Sequence, residues 1–229
     1  MNYKKIGIIV ADEDEYNPFI AKISGCAALK TPFRAAAGFT LNDTGIIAVN
    51  CGIGKVNAAA AAMYLIDSGC DLLLNFGLSG GIKNVRRGDY ILPEKFLEHD
   101  FDLTPLGYAP CEKPGQAYVY NADKSLLDII SSAGIAKRGG TAVCGDRFVS
   151  DSASREFLIN TFSATSCDME TAAVAGVCSM TGIPFLALRR ISDDAGEGAA
   201  ESYGDMNTGE GVTLGETFFK CLKIICEAK

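Results

Sequence analysis

The sequence contains no tryptophan and a single histidine, His99. One imidazole excludes a histidine-rich metal site, and a Ser-His-Asp triad would have to be built on His99. The nine cysteines include no C-x-x-C pair. An odd, scattered set is expected as reduced thiols in a cytoplasm, with neither a disulfide framework nor a metal centre. Basic residues are in deficit: 21 Lys and Arg against 28 Asp and Glu give a net charge of −7. That balance argues against nucleic acid or an anionic membrane surface as partner. No apolar run is long enough to cross a bilayer, and Met1-Asn2-Tyr3-Lys4-Lys5 leads straight into a short apolar run, so no leader is expected. What the chain does have is ample apolar material, 48% of 229 residues, with no repeat and no linker. A single α/β domain over residues 1–229 is expected.

Ile6-Gly7-Ile8-Ile9-Val10-Ala11 reads as a strand buried on both faces, ending in Asp12-Glu13-Asp14-Glu15. Such acids usually form a solvated turn, but open α/β sheets gather ligands at the carboxyl ends of their strands. One of the four is therefore expected to face a cleft, with Glu13 and Glu15 both open as candidates. A second strand, 45–50, runs into Cys51-Gly52-Ile53-Gly54-Lys55 and then an alanine-rich helix. That turn can aim helix N–H groups at a polar ligand, or it needs glycine only for positive φ. Its spacing fits neither a dinucleotide fingerprint nor a Walker loop. A third strand, 71–76, is expected to end in a glycine turn, Gly77-Leu78-Ser79-Gly80-Gly81. Residues 99–115 read as an irregular excursion, the kind of long loop that serves binding or assembly.

Later in the chain, Asp168-Met169-Glu170 precedes a helix of small residues, Ala172, Ala173, Ala175 and Gly176. Glu170 either caps that helix or, held ionised by its free N–H groups, accepts two hydrogen bonds from a ribose diol. A late strand, 184–193, ends on Asp193. A small-residue loop is expected over 196–204 and a final helix over 211–227.

Four motifs in order, Gly52-Ile53-Gly54-Lys55-Val56, Gly145-Asp146 with Phe148-Val149, Asp168-Met169-Glu170, and Arg189 with Ile191-Ser192-Asp193, make the chain resemble the purine nucleoside phosphorylase and nucleosidase superfamily. Within it the chain is similar to the 5′-methylthioadenosine/S-adenosylhomocysteine nucleosidases, and His99-Asp100 with Asp102, Thr104 and Gly107-Tyr108 adds a fifth match. The resemblance implies a three-layer α/β/α sandwich around a mixed, partly barrel-like sheet, a homodimer, and no cofactor or metal. It implies that Glu15 activates water, Asp193 protonates purine N7, and Arg189 fixes the water and the acids. Glu170 would grip the ribose diol and Met169 would pack on the sugar, with Ile53, Leu78 and Ser79 also at the substrate. Phe148 would stack on the base and the Val149 backbone would bond it, while Leu103, Leu106 and Pro114 would lean into the partner subunit's pocket. The chemistry asks for the same types independently. Breaking an N-glycosidic bond builds positive charge on the sugar and negative charge on the base, which a base and an acid on opposite sides relieve. Asp193 must then be protonated, through burial or a like-charged neighbour such as Asp194 or Glu170.

Two departures bear on the substrate. The family's nucleosidases read Gly-Ser-Ala-Gly-Gly where this chain has Gly77-Leu78-Ser79-Gly80-Gly81, so Leu78 replaces a serine that helps hold the water. An apolar residue there resembles the futalosine hydrolases, and Arg147 stands where the methylthioadenosine enzymes carry a small residue. Two rival functions remain at this level. A phosphorylase of the same fold needs donors for phosphate, but Asn75 stands where the phosphorylases carry an arginine, and the first strand ends in acids. A catalytically silent nucleoside-binding module would have no need of both Glu15 and Asp193.

Overall fold

The computed structural model describes residues 3–209 and 211–228, so Met1 and Asn2 of the expected leaderless start lie outside it. The chain opens with β1 (Lys5–Val10) and α1 (Glu13–Ile20), followed by β2 (Ala27–Ala28), β3 (Ala35–Leu41), β4 (Thr44–Asn50), α2 (Lys55–Asp67) and the ten-residue β5 (Leu72–Gly81). β6 (Tyr90–Leu92) and β7 (Lys95–Glu98) lead into the excursion, which holds one short 3-10 turn, Thr104–Leu106. Then come β8 (Tyr120–Asn121), α3 (Lys124–Ser132), β9 (Lys137–Arg138), β10 (Thr141–Cys144), α4 (Ser152–Phe162), β11 (Ala164–Asp168), α5 (Thr171–Thr181), β12 (Phe185–Asp193), α6 (Ala199–Gly209) and α7 (Gly211–Glu227).

The strands form one mixed sheet that forks at β5. The first half of β5 lies beside β1, from Ile6↔Leu72 to Ile9↔Asn75, and its other edge runs parallel to β12 from Phe185↔Leu73 onward. Beyond the end of β1, β11 takes over the vacated edge in antiparallel register, Cys167↔Gly80 and Ser166↔Gly81. The sheet thereby curls, in agreement with the partly barrel-like form that the resemblance implies. Alternation along β1 feeds two cores: Ile6, Ile8 and Val10 face α1, α3 and α7, while Ile9 faces α2 and α5. The first core stacks Phe76 on Phe218 (centroids 4.7 Å apart) and sets Phe19 edge-on to Phe76 (5.9 Å). The second is built from Ala58, Ala61 and Ala62 of α2 against Ala172 and Ala175 of α5, small residues that bring the helices close to the sheet.

Two expectations are corrected. Gly77-Leu78-Ser79-Gly80-Gly81 is the second half of β5, not a turn. Its glycines have ordinary φ and serve lateral room instead. A Cβ on Gly77 would lie 2.5 Å from Arg189 Nη1, one on Gly80 2.9 Å from Cys167 Sγ, and one on Gly81 2.9 Å from Ile191 Cγ2. The loop expected over 196–204 is mostly helix, since α6 starts at Ala199, where Ala-Ala-Glu favours helix and Ala199 is fully buried. Among the described residues no helix is long and apolar enough to cross a membrane.

α1 and α7 touch through Gly215, where a Cβ would lie 2.3 Å from the Pro18 carbonyl oxygen. Backbone cannot swing aside as a side chain can, so Gly215→Ala is expected to destabilise the chain by about 2 kcal/mol or more. Urea denaturation of the variant beside the parent checks this; unchanged midpoints would contradict so tight a contact.

Candidate active site

The site gathers at the carboxyl ends of β1, β11 and β12 and along the forked half of β5. Asp12 caps α1 by accepting from Asp14 N at 2.9 Å, and the first turn then points Glu15 inward. Glu15 is buried, while Glu13 and Asp14 are exposed, so the rival Glu13 is set aside. Glu15 Oε1 accepts from the Leu78 N–H at 2.6 Å. Burial pushes its carboxyl from 4.5 up to about 7, against the pull of Arg189 and the Leu78 N–H.

Arg189 lies at the centre, 2% exposed. It donates from Nε to Ser79 Oγ (2.9 Å), from Nη1 to Asn75 Oδ1 (3.0 Å) and from Nη2 to the Leu78 carbonyl. Asn75 is fixed in turn, donating to Ile9 O at 3.0 Å. Carboxylates surround the guanidinium: Glu170 Oε2 at 3.7 Å from Nη2 and Asp168 Oδ2 at 3.9 Å from Nε. Burial disfavours the cation, but Asp168, Glu170 and Glu15 together outweigh it and hold it charged. Ser79, expected at the substrate, lines the cleft and accepts from Arg189 through its hydroxyl oxygen.

The choice left open for Glu170 is resolved in part. Asp168, not Glu170, caps α5: its Oδ1 accepts from Glu170 N (3.0 Å), Thr171 N (2.8 Å) and the Thr171 hydroxyl (2.9 Å). Glu170 makes no side-chain cap to α5 and instead accepts from Gly54 N at 2.9 Å through Oε1. Burial works against the expectation that the helix end keeps it ionised. Burial dominates and raises it to about 7, with Arg189 lowering and Asp168 raising. Asp193 closes the far wall: Oδ1 accepts from Ala195 N and Oδ2 from Ser192 Oγ, both at 2.7 Å. Its carboxyl is raised by burial first and by Asp194 among the charges, the direction an acid needs. Glu170, the other neighbour considered, is not among the main causes.

These groups line one cleft of about 160 Å³. Glu15, Arg189, Ser79 and Leu78 border it on one side, and Glu170, Met169, Asp193, Phe148, Val149 and Ile53 complete the wall. Phe148 and Ile53 are 42% and 47% exposed at the rim. Leu103, Leu106 and Pro114 are not among the lining residues of this single chain, and Leu106 is 71% exposed. Tyr203 was missed. It sits on α6 and meets Phe148 edge-on (5.8 Å, 78°), and its signal was hidden in the stretch expected to be loop. His99 borders a separate hollow with Asp100, Arg147 and Phe157, and burial lowers its pKa.

The sequence model of the phosphorylase superfamily matches residues 5–225. A 5′-methylthioadenosine/S-adenosylhomocysteine nucleosidase of Geobacillus kaustophilus is 33% identical over 87% of this chain and 88% of its own length. The Neisseria meningitidis nucleosidase of the same name, solved with methylthio-immucillin-A, superposes with a TM-score of 0.89 at 28% identity, covering 96% of this chain and 99% of that one. Futalosine hydrolase of Helicobacter pylori superposes with a TM-score of 0.90 at 26% identity, covering 96% and 97%. The chain belongs to the phosphorylase superfamily and, within it, to the 5′-methylthioadenosine/S-adenosylhomocysteine nucleosidase family.

Proposed function

We propose that this chain hydrolyses the N-glycosidic bond of a purine nucleoside of the 5′-methylthioadenosine or S-adenosylhomocysteine type and releases the free base. The observation that carries the reading is the pairing, in one cleft, of a buried Glu15 beside Arg189 with a buried Asp193 whose carboxyl is raised above its ordinary value. Glu15 takes a proton from water as the water attacks the anomeric carbon, and Asp193 gives its proton to purine N7 as the bond to the base breaks. Glu170 accepts from the ribose hydroxyls, Met169 packs on the sugar, Phe148 stacks on the base and the Val149 backbone bonds it. Arg189 holds Glu15 and Glu170 in place and offsets their charge as they ionise.

Hydrolysis is favoured over phosphorolysis by the same side chains. Asn75 is spent on Ile9 and Arg189, and a phosphate dianion at the water's position would face Glu15 and Glu170. A silent binding module needs no acid with a raised pKa opposite a base. The test is release of free base from a nucleoside panel with and without phosphate. Release without phosphate is expected, and Asp193→Asn is expected to reduce it at least about a hundredfold with folding intact. A strict phosphate requirement, or an Asn variant within a few-fold of the parent, contradicts the reading.

Two copies of the chain make the working unit in this proposal, with residues 99–115 of one copy completing the other's cleft. Support comes from exposed apolar groups: Leu106 and Tyr108 on the excursion, and Ile53, Val56 and Met63 beside the cleft and along α2. Sedimentation at assay concentration is expected to give a dimer; a fully active monomer rules this out.

The raised glutamates give opposite pH trends for rate and stability. Glu15 and Glu170 release their protons near 4.5 in the unfolded chain but near 7 in the folded one. Stability present below 4.5 is therefore lost as pH rises through 7. Over the same window Glu15 becomes the carboxylate that accepts a proton. From pH 5.5 to 7.5, kcat/KM is expected to rise while the melting temperature of the ligand-free protein falls. Glu15→Gln should flatten part of the melting trend, and parallel trends in rate and stability would refute the assignment.

A further inference from the structure

The N-terminus of α2 has no cap of its own, because its cap position is Gly54. Two distant carboxylates fill the gap. Glu170 Oε1 takes the Gly54 N–H at 2.9 Å, and Asp146 Oδ1 takes the Lys55 N–H at 2.8 Å. Asp146 is held from behind: its own N–H donates to Asp100 Oδ2 at 2.9 Å, and Asp100 Oδ1 accepts from Lys55 Nζ at 2.6 Å. The ring closes on Lys55, gripped at its backbone N–H by Asp146 and at its ammonium by Asp100 and Glu98. Gly54 lies at φ +101°, and a Cβ there would sit 3.0 Å from Asp146 Oδ1, so the carboxylate is seated against this residue.

We propose that Asp146 is a positioning residue for Glu170: by fixing the Lys55 N–H and the left-handed Gly54, it aims the Gly54 N–H that holds the Glu170 carboxylate. This rests on the reading of Glu170 as the ribose ligand. Helix-end N–H groups accept partners over a range of directions, so a free Gly54 would share its donor with water. Pinning the next peptide removes that freedom, and Glu170 presents its second oxygen to the diol in one orientation.

A residue that merely caps α2 would, on removal, lower stability and slow all substrates alike. A positioning residue changes discrimination. Asp146→Ala is expected to lower kcat/KM about tenfold for a riboside and less than about twofold for its 2′-deoxy counterpart, the scale of one misaligned hydrogen bond to a charged group. Asp146→Asn keeps an acceptor and should recover most of the riboside preference. In a Glu170→Gln background, Asp146→Ala should add no further loss of that preference. Should the alanine variant fail to fold, Asp146→Ser, too short to reach Lys55 N, is read in its place. If Glu170→Gln narrows the riboside preference but the Asp146 variants do not, the positioning role is overturned while the ribose assignment stands. If Glu170→Gln leaves the preference unchanged, both fall.

Discussion

One buried guanidinium organises the cleft. Arg189 sits where β5 forks, and its three nitrogens are spoken for by Ser79, Asn75 and the Leu78 carbonyl. A cation so deeply buried is tolerated only when it is fully hydrogen-bonded and compensated by charge. Glu15, Asp168 and Glu170 supply that charge, and each in turn comes from a different element: α1, the end of β11 and the start of α5. The glycines of β5 follow from the same constraint. Gly77 has no side chain because Arg189 and Glu15 occupy the space beside it. The fork follows as well, since β12, which carries Arg189, must run along β5 while β11 approaches from the opposite edge.

The carboxylates divide their work by what already satisfies them. Asp168 is bonded by the first amides of α5 and by the Thr171 hydroxyl, which ties it to the helix end. Glu15 and Glu170 each accept one main-chain N–H and keep an oxygen for the cleft. Burial raises both to about 7. Asp193 is also raised by burial first, with Asp194 adding to it and Arg189 not among the main causes.

Much of this arrangement was legible in the sequence. Continuous apolar runs located β1, β4 and β12, and the rule that ligands collect at strand ends drew attention to Glu15 and Asp193. Other features were not legible for physical reasons. A glycine cluster looks the same whether it serves a turn or clears room for a neighbour's side chain, and at residues 77–81 it does the second. Asp168 and Glu170 are two residues apart, and the choice of helix cap was decided by Thr171 and by local backbone geometry. The argument that a helix end keeps Glu170 ionised left out burial, which at 4% exposure raises the carboxyl. Tyr203 was hidden because its neighbours Gly198, Ala200 and Gly204 read as loop.

Leu78 meets Glu15 and Arg189 through its peptide N–H and carbonyl, while its side chain packs with Phe76 and Tyr16 in the core and borders the cleft. The acid–base apparatus is thereby written, at this position, in an alphabet that nineteen of the twenty residues share. Only proline, lacking the donor, would erase it.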